Sequence, residues 1–294
     1  MGIWNIINEN FRGWSTSSFA IDSNNTAVMY ANSSIETTGD ELELIGGIIK
    51  STDSGFNWHP LAGLEAYGNY SILIDPGNSS IVYAGGHGVV YKSTDAGFSW
   101  KKIIIDPDLG WISYPIILIA DYKKPSILYA TDNNSCKILK SVDGGENWVN
   151  LDLESKIDNA SDIKSIATSM RKSNTVYVLL TGDELYKSNN GGKSWKKLKN
   201  NLKGIHQNIV MTSNPNIIYL NSASGFYCSR NGGKSWELRS ESGGRLVAVD
   251  QQNHEIVYVY SKNVDESKTG IYKSTDGGRT WKNVSKGLPL RNEK

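Results

Sequence analysis

Several features that stabilise or anchor other classes of protein are scarce in this sequence. Its 294 residues include only two cysteines, Cys136 and Cys228, which do not make a disulfide framework or a metal-binding motif. The longest apolar run, residues 116–120, is far shorter than the ~20 residues needed to cross a bilayer. No stretch has a convincing 3.6-residue apolar period. These absences argue against a helical fold, a transmembrane segment and a disulfide-rich scaffold.

The net charge of the chain gives no sign of a nucleic acid or an anionic membrane as partner. Lys plus Arg number 31 and Asp plus Glu number 30, so we predict neither a nucleic-acid partner nor an anionic membrane partner. No positively charged and then apolar leader opens the sequence. Seven Asn-x-Ser/Thr sequons, beginning at Asn24, Asn32, Asn69, Asn78, Asn133, Asn159 and Asn283, favour an extracellular or cell-surface protein.

The abundant residue types are those that favour strands and tight turns. The chain has 29 Gly, 15 Tyr and 9 Trp, together with many Ile, Val, Asn and Ser residues. Aromatic and β-branched residues favour strands, whereas Gly, Asn and Ser favour turns. The composition therefore predicts an all-β protein.

One eight-residue stretch recurs six times. The copies are STDSGFNW (51–58), STDAGFSW (93–100), SVDGGENW (141–148), SNNGGKSW (188–195), SRNGGKSW (229–236) and STDGGRTW (274–281). They start 42, 48, 47, 41 and 45 residues apart, which is typical of four-stranded propeller blades.

A second landmark precedes each copy. An apolar strand that usually ends at Asp is followed by a polar turn and a second apolar strand with a Tyr, as in LIDPGNSSIVYA (73–84). We therefore predict that each repeat forms four antiparallel strands, which we call A to D. We expect one six-bladed β-propeller domain over residues 1–294, with repeats at about 14–61, 62–103, 104–151, 152–198, 199–239 and 240–285. Residues 4–7 also resemble a strand D, which leaves a seven-bladed propeller as the alternative.

The repeated stretch resembles the S-x-D-x-G-x-[ST]-W pattern of the Asp-box, or bacterial neuraminidase repeat (BNR). That repeat is found in sialidases, xyloglucanase-type glycosidases, sortilin-like receptors and the photosystem II assembly factor family. The resemblance covers roughly residues 14–285 and implies the propeller fold. It does not decide function, because the superfamily includes both enzymes and binding proteins.

The residue types of the repeat predict a structural role. The third residue can accept backbone N–H groups of its own turn, the following Gly supplies a positive φ, and Trp packs between blades. The third positions are Asp53, Asp95, Asp143, Asn190, Asn231 and Asp276. Because Asn keeps the acceptor oxygen but not the charge, a structural turn tolerates it and a catalytic carboxylate does not.

We therefore expect binding residues at the opposite end of the blades, where the B–C and D–A connections lie. The first and last B–C connections are the longest, with 21 residues from Tyr30 to Ser51 and 16 from Tyr258 to Ser274. Candidate ligand-binding residues just before each strand A are Arg12, Trp14, Tyr67, Tyr70, Trp111, Tyr114, His206 and Arg245. Aromatic rings can stack on a sugar, and two arginines can hold a carboxylate.

The same connections are rich in carboxylates, which would attract a cationic partner or merely keep the surface soluble. They include Glu36, Asp40, Glu41, Glu43, Glu65, Asp106, Asp108, Asp152, Glu154, Asp158, Asp162, Asp265 and Glu266. A Ca²⁺ site near Asp40, Glu41 and Glu43 lacks D-x-D-x-D spacing, so we predict no cofactor and no metal.

Two functions remain open. A sialidase needs three arginines at its substrate carboxylate, but only Arg12 and Arg245 lie at suitable positions. Xyloglucanase-type enzymes place their two catalytic carboxylates on separate propeller lobes, and here we predict one lobe; Asp106, Asp108 and Glu65 are the catalytic candidates. We favour a non-catalytic, monomeric binding module for a protein or glycan, with a glycoside hydrolase as the alternative.

Overall fold

The computed structural model describes residues 14–35, 45–64, 70–106, 116–131, 135–157, 161–199, 202, 206–222, 225–241, 245–261 and 270–285. Within these ranges the chain forms 24 β-strands and no helix. No helix with the length and apolarity needed to span a membrane is found in the part of the chain that is described.

The strands form six four-stranded antiparallel sheets, each with its strands in chain order. The all-β, six-bladed propeller predicted from the repeats is thus confirmed. The strands of blades 1 to 3 are β1 (Trp14–Ile21), β2 (Met29–Ile35), β3 (Ile45–Ser51), β4 (His59–Pro60), β5 (Ser71–Ile74), β6 (Val82–Gly85), β7 (Val89–Ser93), β8 (Lys101–Ile104), β9 (Ile117–Asp121), β10 (Lys124–Thr131), β11 (Leu139–Ser141) and β12 (Val149–Asn150).

Blades 4 to 6 repeat the pattern. Their strands are β13 (Ile163–Thr168), β14 (Val176–Leu180), β15 (Leu185–Ser188), β16 (Lys196–Lys197), β17 (His206–Met211), β18 (Ile218–Ser222), β19 (Gly225–Ser229), β20 (Glu237–Ser240), β21 (Arg245–Val249), β22 (Val257–Ser261), β23 (Gly270–Ser274) and β24 (Lys282–Asn283). The chain divides into two compact units. One spans Ile7–Asp152 and includes blades 1 to 3, and the other includes Leu153–Lys294 and blades 4 to 6.

In each of the two compact halves of the chain, the buried apolar core lies between neighbouring blades. In blade 4, strand B is apolar along its length and all five residues of β14 are buried, because its sheet is covered on both sides. The Tyr of strand B is at most 1% exposed in blades 1 to 5. The Trp of the eight-residue turn joins the same clusters: Trp148 packs against the core of blades 2 and 3, and Trp236 lies in that of blades 4 and 5.

Candidate functional site

The eight-residue turn connects strands C and D and is closed by its own side chains. In blade 2, Ser93 Oγ accepts the N–H of Gly97 at 2.8 Å and donates to Asp95 Oδ1 at 2.7 Å. Asp95 Oδ1 accepts the N–H of Ser99 at 2.8 Å, and Oδ2 accepts the Ser99 hydroxyl. Gly97 has a φ of 94°, where Gly is favoured over residues with a Cβ. The first, third and fifth residues of the repeat thus take part in the hydrogen bonds that close the turn.

These bonds stabilise the ionised form of the turn carboxylate. Hydrogen bonds from the side chain and backbone of Ser99 lower the pKa of Asp95 to about 2. The backbone and side chain of Asn57 do the same for Asp53, also to about 2. The pKa values of Asp143 and Asp276 are lowered by the equivalent bonds. An ionised acceptor inside its own hairpin fits a role in holding the turn.

Two ends of each blade can now be distinguished. The turn edge is formed by the A–B turn and the eight-residue turn, which hydrogen-bond to each other: in blade 2 the N–H of Ala96 donates to Ser80 O at 2.8 Å. The loop edge is formed by the B–C and D–A connections, such as residues 86–88 and 105–106 of blade 2 or residues 181–184 and 198–199 of blade 4. The sequence predicts its ligand-binding residues at the loop edge.

Most of these candidates cannot be placed relative to one another. Arg12, Glu65, Tyr67, Asp108, Trp111 and Tyr114 lie outside the described residues, as do Asp40, Glu41 and Glu43 of the Ca²⁺ alternative. Trp14, His206 and Arg245 begin β1, β17 and β21, but only their backbone is described. Their binding roles therefore remain predictions.

Tyr70 is the candidate that the structure corrects. It is only 2% exposed and belongs to the core cluster of blades 1 and 2. Its ring meets that of Tyr91 edge-on, with the centroids 5.7 Å apart. A ring packed in this way has no free face on which a sugar could stack, so the position just before strand A contributes to the core here.

Asp106 is the one catalytic candidate that is described. It lies at the loop edge after strand D of blade 2, with a side chain that is 13% exposed, and its Oδ2 accepts a hydrogen bond from Lys137 Nζ at 3.1 Å. Lys137 belongs to the B–C connection of blade 3, so the ion pair joins the loop edges of two neighbouring blades. This contact gives Asp106 a structural partner, and the two carboxylates it would pair with in catalysis lie outside the described residues.

A cavity of about 650 Å³ opens at the loop edge of blade 4. It is lined by the B–C hairpin and by the end of strand D, namely Gly182, Asp183, Glu184, Lys197, Leu198, Lys199 and Leu202. We call it the blade 4 pocket. Sequence reasoning missed it, although Gly-Asp at a hairpin is a recognisable turn signal: Gly182 and Asp183 have φ values of 87° and 68°.

The blade 4 pocket combines an apolar base with charged walls. Leu198 is 9% exposed and lies in the core cluster of blades 4 and 5, against which Leu202 packs. Glu184 accepts hydrogen bonds from Lys197 and, at 2.9 Å, from the Tyr186 hydroxyl. The bond from Lys197 is the main cause of the lowered pKa of Glu184. Carboxylates and ammonium groups around an aliphatic patch suit an extended chain that carries both polar groups and side chains.

The described residues offer no arrangement for metal chemistry. No group of three or more His, Cys, Asp or Glu side chains within them could hold a metal ion. Of the loop-edge carboxylates, Asp152, Glu154 and Asp162 are exposed.

Comparisons with known proteins agree with this architecture. The DUF6242 beta propeller domain matches residues 120–243, which is less than half of the chain. Two xyloglucanases Xgh74A of Acetivibrio thermocellus are 26% and 28% identical to it. Each match covers 84% of this chain but 30% of the relative, so the chain spans under a third of the length of those enzymes.

Solved structures with the same fold include both binding proteins and enzymes. YCF48 from Cyanidioschyzon merolae has a TM-score of 0.63 and 15% identity, covering 92% of this chain and 88% of that one. YCF48 bound to D1 peptide has a TM-score of 0.65 and 15% identity, with 94% and 84% covered. An ancestral GH74 enzyme has a TM-score of 0.67 and 20% identity, with 96% and 39% covered. Each of these three structures shares the β-propeller fold with this chain.

Proposed function

We propose that this chain is a non-catalytic binding module that holds an extended segment of a partner protein at the loop edge of its blades. One observation carries the proposal. The chain matches the two YCF48 structures over 88% and 84% of their length, and one of those proteins is bound to a peptide. It matches only 30% of the xyloglucanases and 39% of the ancestral GH74 enzyme.

The blade 4 pocket is a physically suitable place for such a segment. A peptide offers side chains to Leu198 and Leu202 and charged or polar groups to Asp183 and Lys199, both on the wall of the pocket. Binding peptides through a few pockets on a rigid sheet scaffold costs little ordering of the protein itself.

The test selects peptides on the intact chain and then locates their site. Peptides of twelve residues are selected from a displayed random library, and their affinities are measured by fluorescence anisotropy. We expect Lys199→Glu to weaken binding by about 10-fold, because it reverses one charge at the pocket. The matched control is Lys282→Glu, an exposed lysine of β24, which should leave the affinity unchanged. Failure to select any peptide, or equal effects of both variants, would contradict the proposal.

A glycoside hydrolase is the second candidate, because the curated relatives named above are xyloglucanases. Its two carboxylates would have to flank the scissile bond about 5 to 9 Å apart. The decisive assay incubates the chain with xyloglucan and measures new reducing ends. We expect none; turnover that Asp106→Asn abolishes would replace the binding proposal with the enzymatic one.

A further inference from the structure

The turn edges of blades 4 and 5 differ from the other four in charge. In blades 1, 2, 3 and 6 the A–B turn and the eight-residue turn each carry a carboxylate that accepts backbone N–H groups: Asp22 and Asp53, Asp75 and Asp95, Asp121 and Asp143, Asp250 and Asp276. Blades 4 and 5 have neutral residues at all four equivalent positions. These are Ser169 and Asn190 in blade 4, and Thr212 and Asn231 in blade 5.

The neutral residues keep the geometry of the eight-residue turn. Asn190 Oδ1 accepts the N–H of Ser194 at 3.0 Å, as Asp95 accepts that of Ser99 at 2.8 Å. Asn190 Nδ2 donates to Ser194 Oγ at 2.8 Å, so the serine hydroxyl simply changes from donor to acceptor. Asn231 makes the same two bonds with Ser235. The turn therefore closes without a negative charge.

The A–B turns behave in the same way. Ser169 Oγ accepts the N–H groups of Arg171 and Lys172 at 3.4 and 3.2 Å, and Thr212 Oγ1 accepts that of Asn214 at 3.2 Å. Asp75 accepts the equivalent N–H of Gly77 at 2.7 Å. The fold thus retains its local bonds in both blade types, and what changes is the charge that each turn edge presents to a partner.

The turn edges of blades 4 and 5, which lack these carboxylates, carry cationic side chains. Four exposed cations lie in these turns, namely Arg171, Lys172, Lys193 and Lys234, and a fifth, Lys196, begins β16 next to the eight-residue turn. Within the described residues none of the five has an ion-pair partner. We call this set the basic edge. The nearby carboxylates are already engaged, since Glu255 pairs with Arg230 at 2.7 Å and Glu237 pairs with Arg239 at 2.9 Å.

The turn edges of blades 4 and 5 are joined by direct hydrogen bonds. Arg171 Nε donates to the backbone oxygen of Ser213, in the A–B turn of blade 5, at 2.9 Å. The Tyr177 hydroxyl of blade 4 donates to the backbone oxygen of Gly232, in the eight-residue turn of blade 5, at 3.3 Å. The basic edge is therefore one surface spread over two neighbouring blades.

We propose that the basic edge binds an acidic peptide segment, at a site separate from the loop edge. Four of its five cations are lysines, which act as point charges and do not require the fixed bidentate geometry that arginine prefers. Removing four carboxylates from the same surface lowers the repulsion that an incoming polyanion would meet. No exposed aromatic ring occurs among the described residues at the turn edges of blades 4 and 5, whereas single-stranded nucleic acids are commonly held by base stacking. An acidic peptide is thus favoured over a nucleic acid.

The experiment measures binding of a fluorescein-labelled peptide of twelve glutamates to the full chain, by anisotropy, at low and physiological salt. The informative variant, Ser169→Asp/Asn190→Asp/Thr212→Asp/Asn231→Asp, restores the carboxylates that the other blades carry. We expect it to weaken binding by about 10-fold, since each new charge repels the peptide by a fraction of a kcal/mol. Lys172→Gln/Lys193→Gln/Lys234→Gln should have a similar effect, and affinity should fall as salt rises.

The matched control for the triple-lysine variant is Lys123→Gln/Lys124→Gln/Lys282→Gln, which removes three exposed lysines outside the basic edge and so changes the net charge by the same amount. Equal weakening by this control, or no binding by the unmodified chain, would overturn the proposal. Tighter binding of a single-stranded DNA of twelve nucleotides would assign the surface to nucleic acid instead. If the four-carboxylate variant does not fold, as judged by circular dichroism, the lysine variants decide.

Discussion

At the scale of single residues, the third position of the eight-residue turn separates two tasks that usually coincide in a carboxylate. Accepting hydrogen bonds is required in all six blades, because the N–H four residues later needs a partner. Carrying a charge is not required, as Asn190 and Asn231 show by making equivalent bonds. The charge at this third position can therefore differ between blades without loss of the turn.

The same comparison predicts how acid acts on the protein. The pKa values of Asp53 and Asp95 are lowered to about 2, from about 3.9 in an unfolded chain. Because the folded-state pKa is depressed, each carboxylate contributes stability above about pH 4 that is lost as the pH falls towards 2. We expect Asp53→Asn/Asp95→Asn to unfold at lower pH than the unmodified chain in a circular dichroism titration. The reciprocal variant Asn190→Asp should unfold at higher pH; an unchanged midpoint in both would contradict this explanation.

At the scale of elements, side chains of strands B and C of one blade donate hydrogen bonds to the eight-residue turn of the next blade. In blade 1 the Tyr30 hydroxyl and Lys50 Nζ both donate to the backbone oxygen of Ala96, at 3.0 and 2.9 Å. Tyr30 and Lys50 are a cross-strand pair, and the ammonium lies 5.3 Å from the ring centroid, within cation–π range. The Tyr–Lys pair recurs at Tyr83 and Lys92. This contact fixes one blade against its neighbour through main-chain atoms.

The contribution of this contact between blades to the free energy of unfolding can be measured by removing one hydroxyl group. Tyr83 donates to the backbone oxygen of Gly144 at 3.0 Å, so we expect Tyr83→Phe to lower the free energy of unfolding by about 1 kcal/mol. The matched control is Tyr129→Phe, because the buried Tyr129 hydroxyl has no hydrogen-bond partner among the described residues. It should change stability by less than about 0.5 kcal/mol. Urea denaturation of both variants tests the difference, and equal losses would refute it.

At the scale of the whole molecule, stability resides in layers shared by adjacent blades. The core cluster of blades 2 and 3 contains Tyr83 and Val90 from one blade and Ile116, Leu128 and Leu139 from the other. A blade that buries its faces only against neighbours cannot be stable alone. Damage to one cluster should therefore weaken both of the blades that share it.

Leu128, which is fully buried, tests this coupling. We expect Leu128→Ala to cost about 2–5 kcal/mol, through lost burial and the cavity left behind. Hydrogen exchange should then accelerate in both blades 2 and 3, and less in blades 5 and 6. Ile104→Ala, at a side chain that is 68% exposed in blade 2, is the control and should stay within about 0.5 kcal/mol of the unmodified chain. Exchange that accelerates in blade 3 alone would contradict shared stability.

The fold could be predicted from sequence because its signals are local and repeated. Hydrogen bonds of the eight-residue turn join residues at most four apart, as from Ser93 to Gly97, so residue order alone indicates them. The candidate site was less accessible. Tyr70 was expected to be exposed, but burial depends on which neighbouring blade covers a ring, as Tyr91 and its cluster do here. The blade 4 pocket likewise joins a hairpin and a strand end that are not adjacent in sequence.

The sequence by itself thus determined the all-β class, the repeat of four strands and the neutral residues at positions 190 and 231, since each follows from a pattern within one blade. The tertiary structure decided which charges remain unpaired. Glu255 is 25 residues from Arg230 along the chain yet neutralises it, whereas Lys193 and Lys234 have no such partner among the described residues. Electrostatic pairing depends on distance in space, which only the packing of one blade against the next supplies.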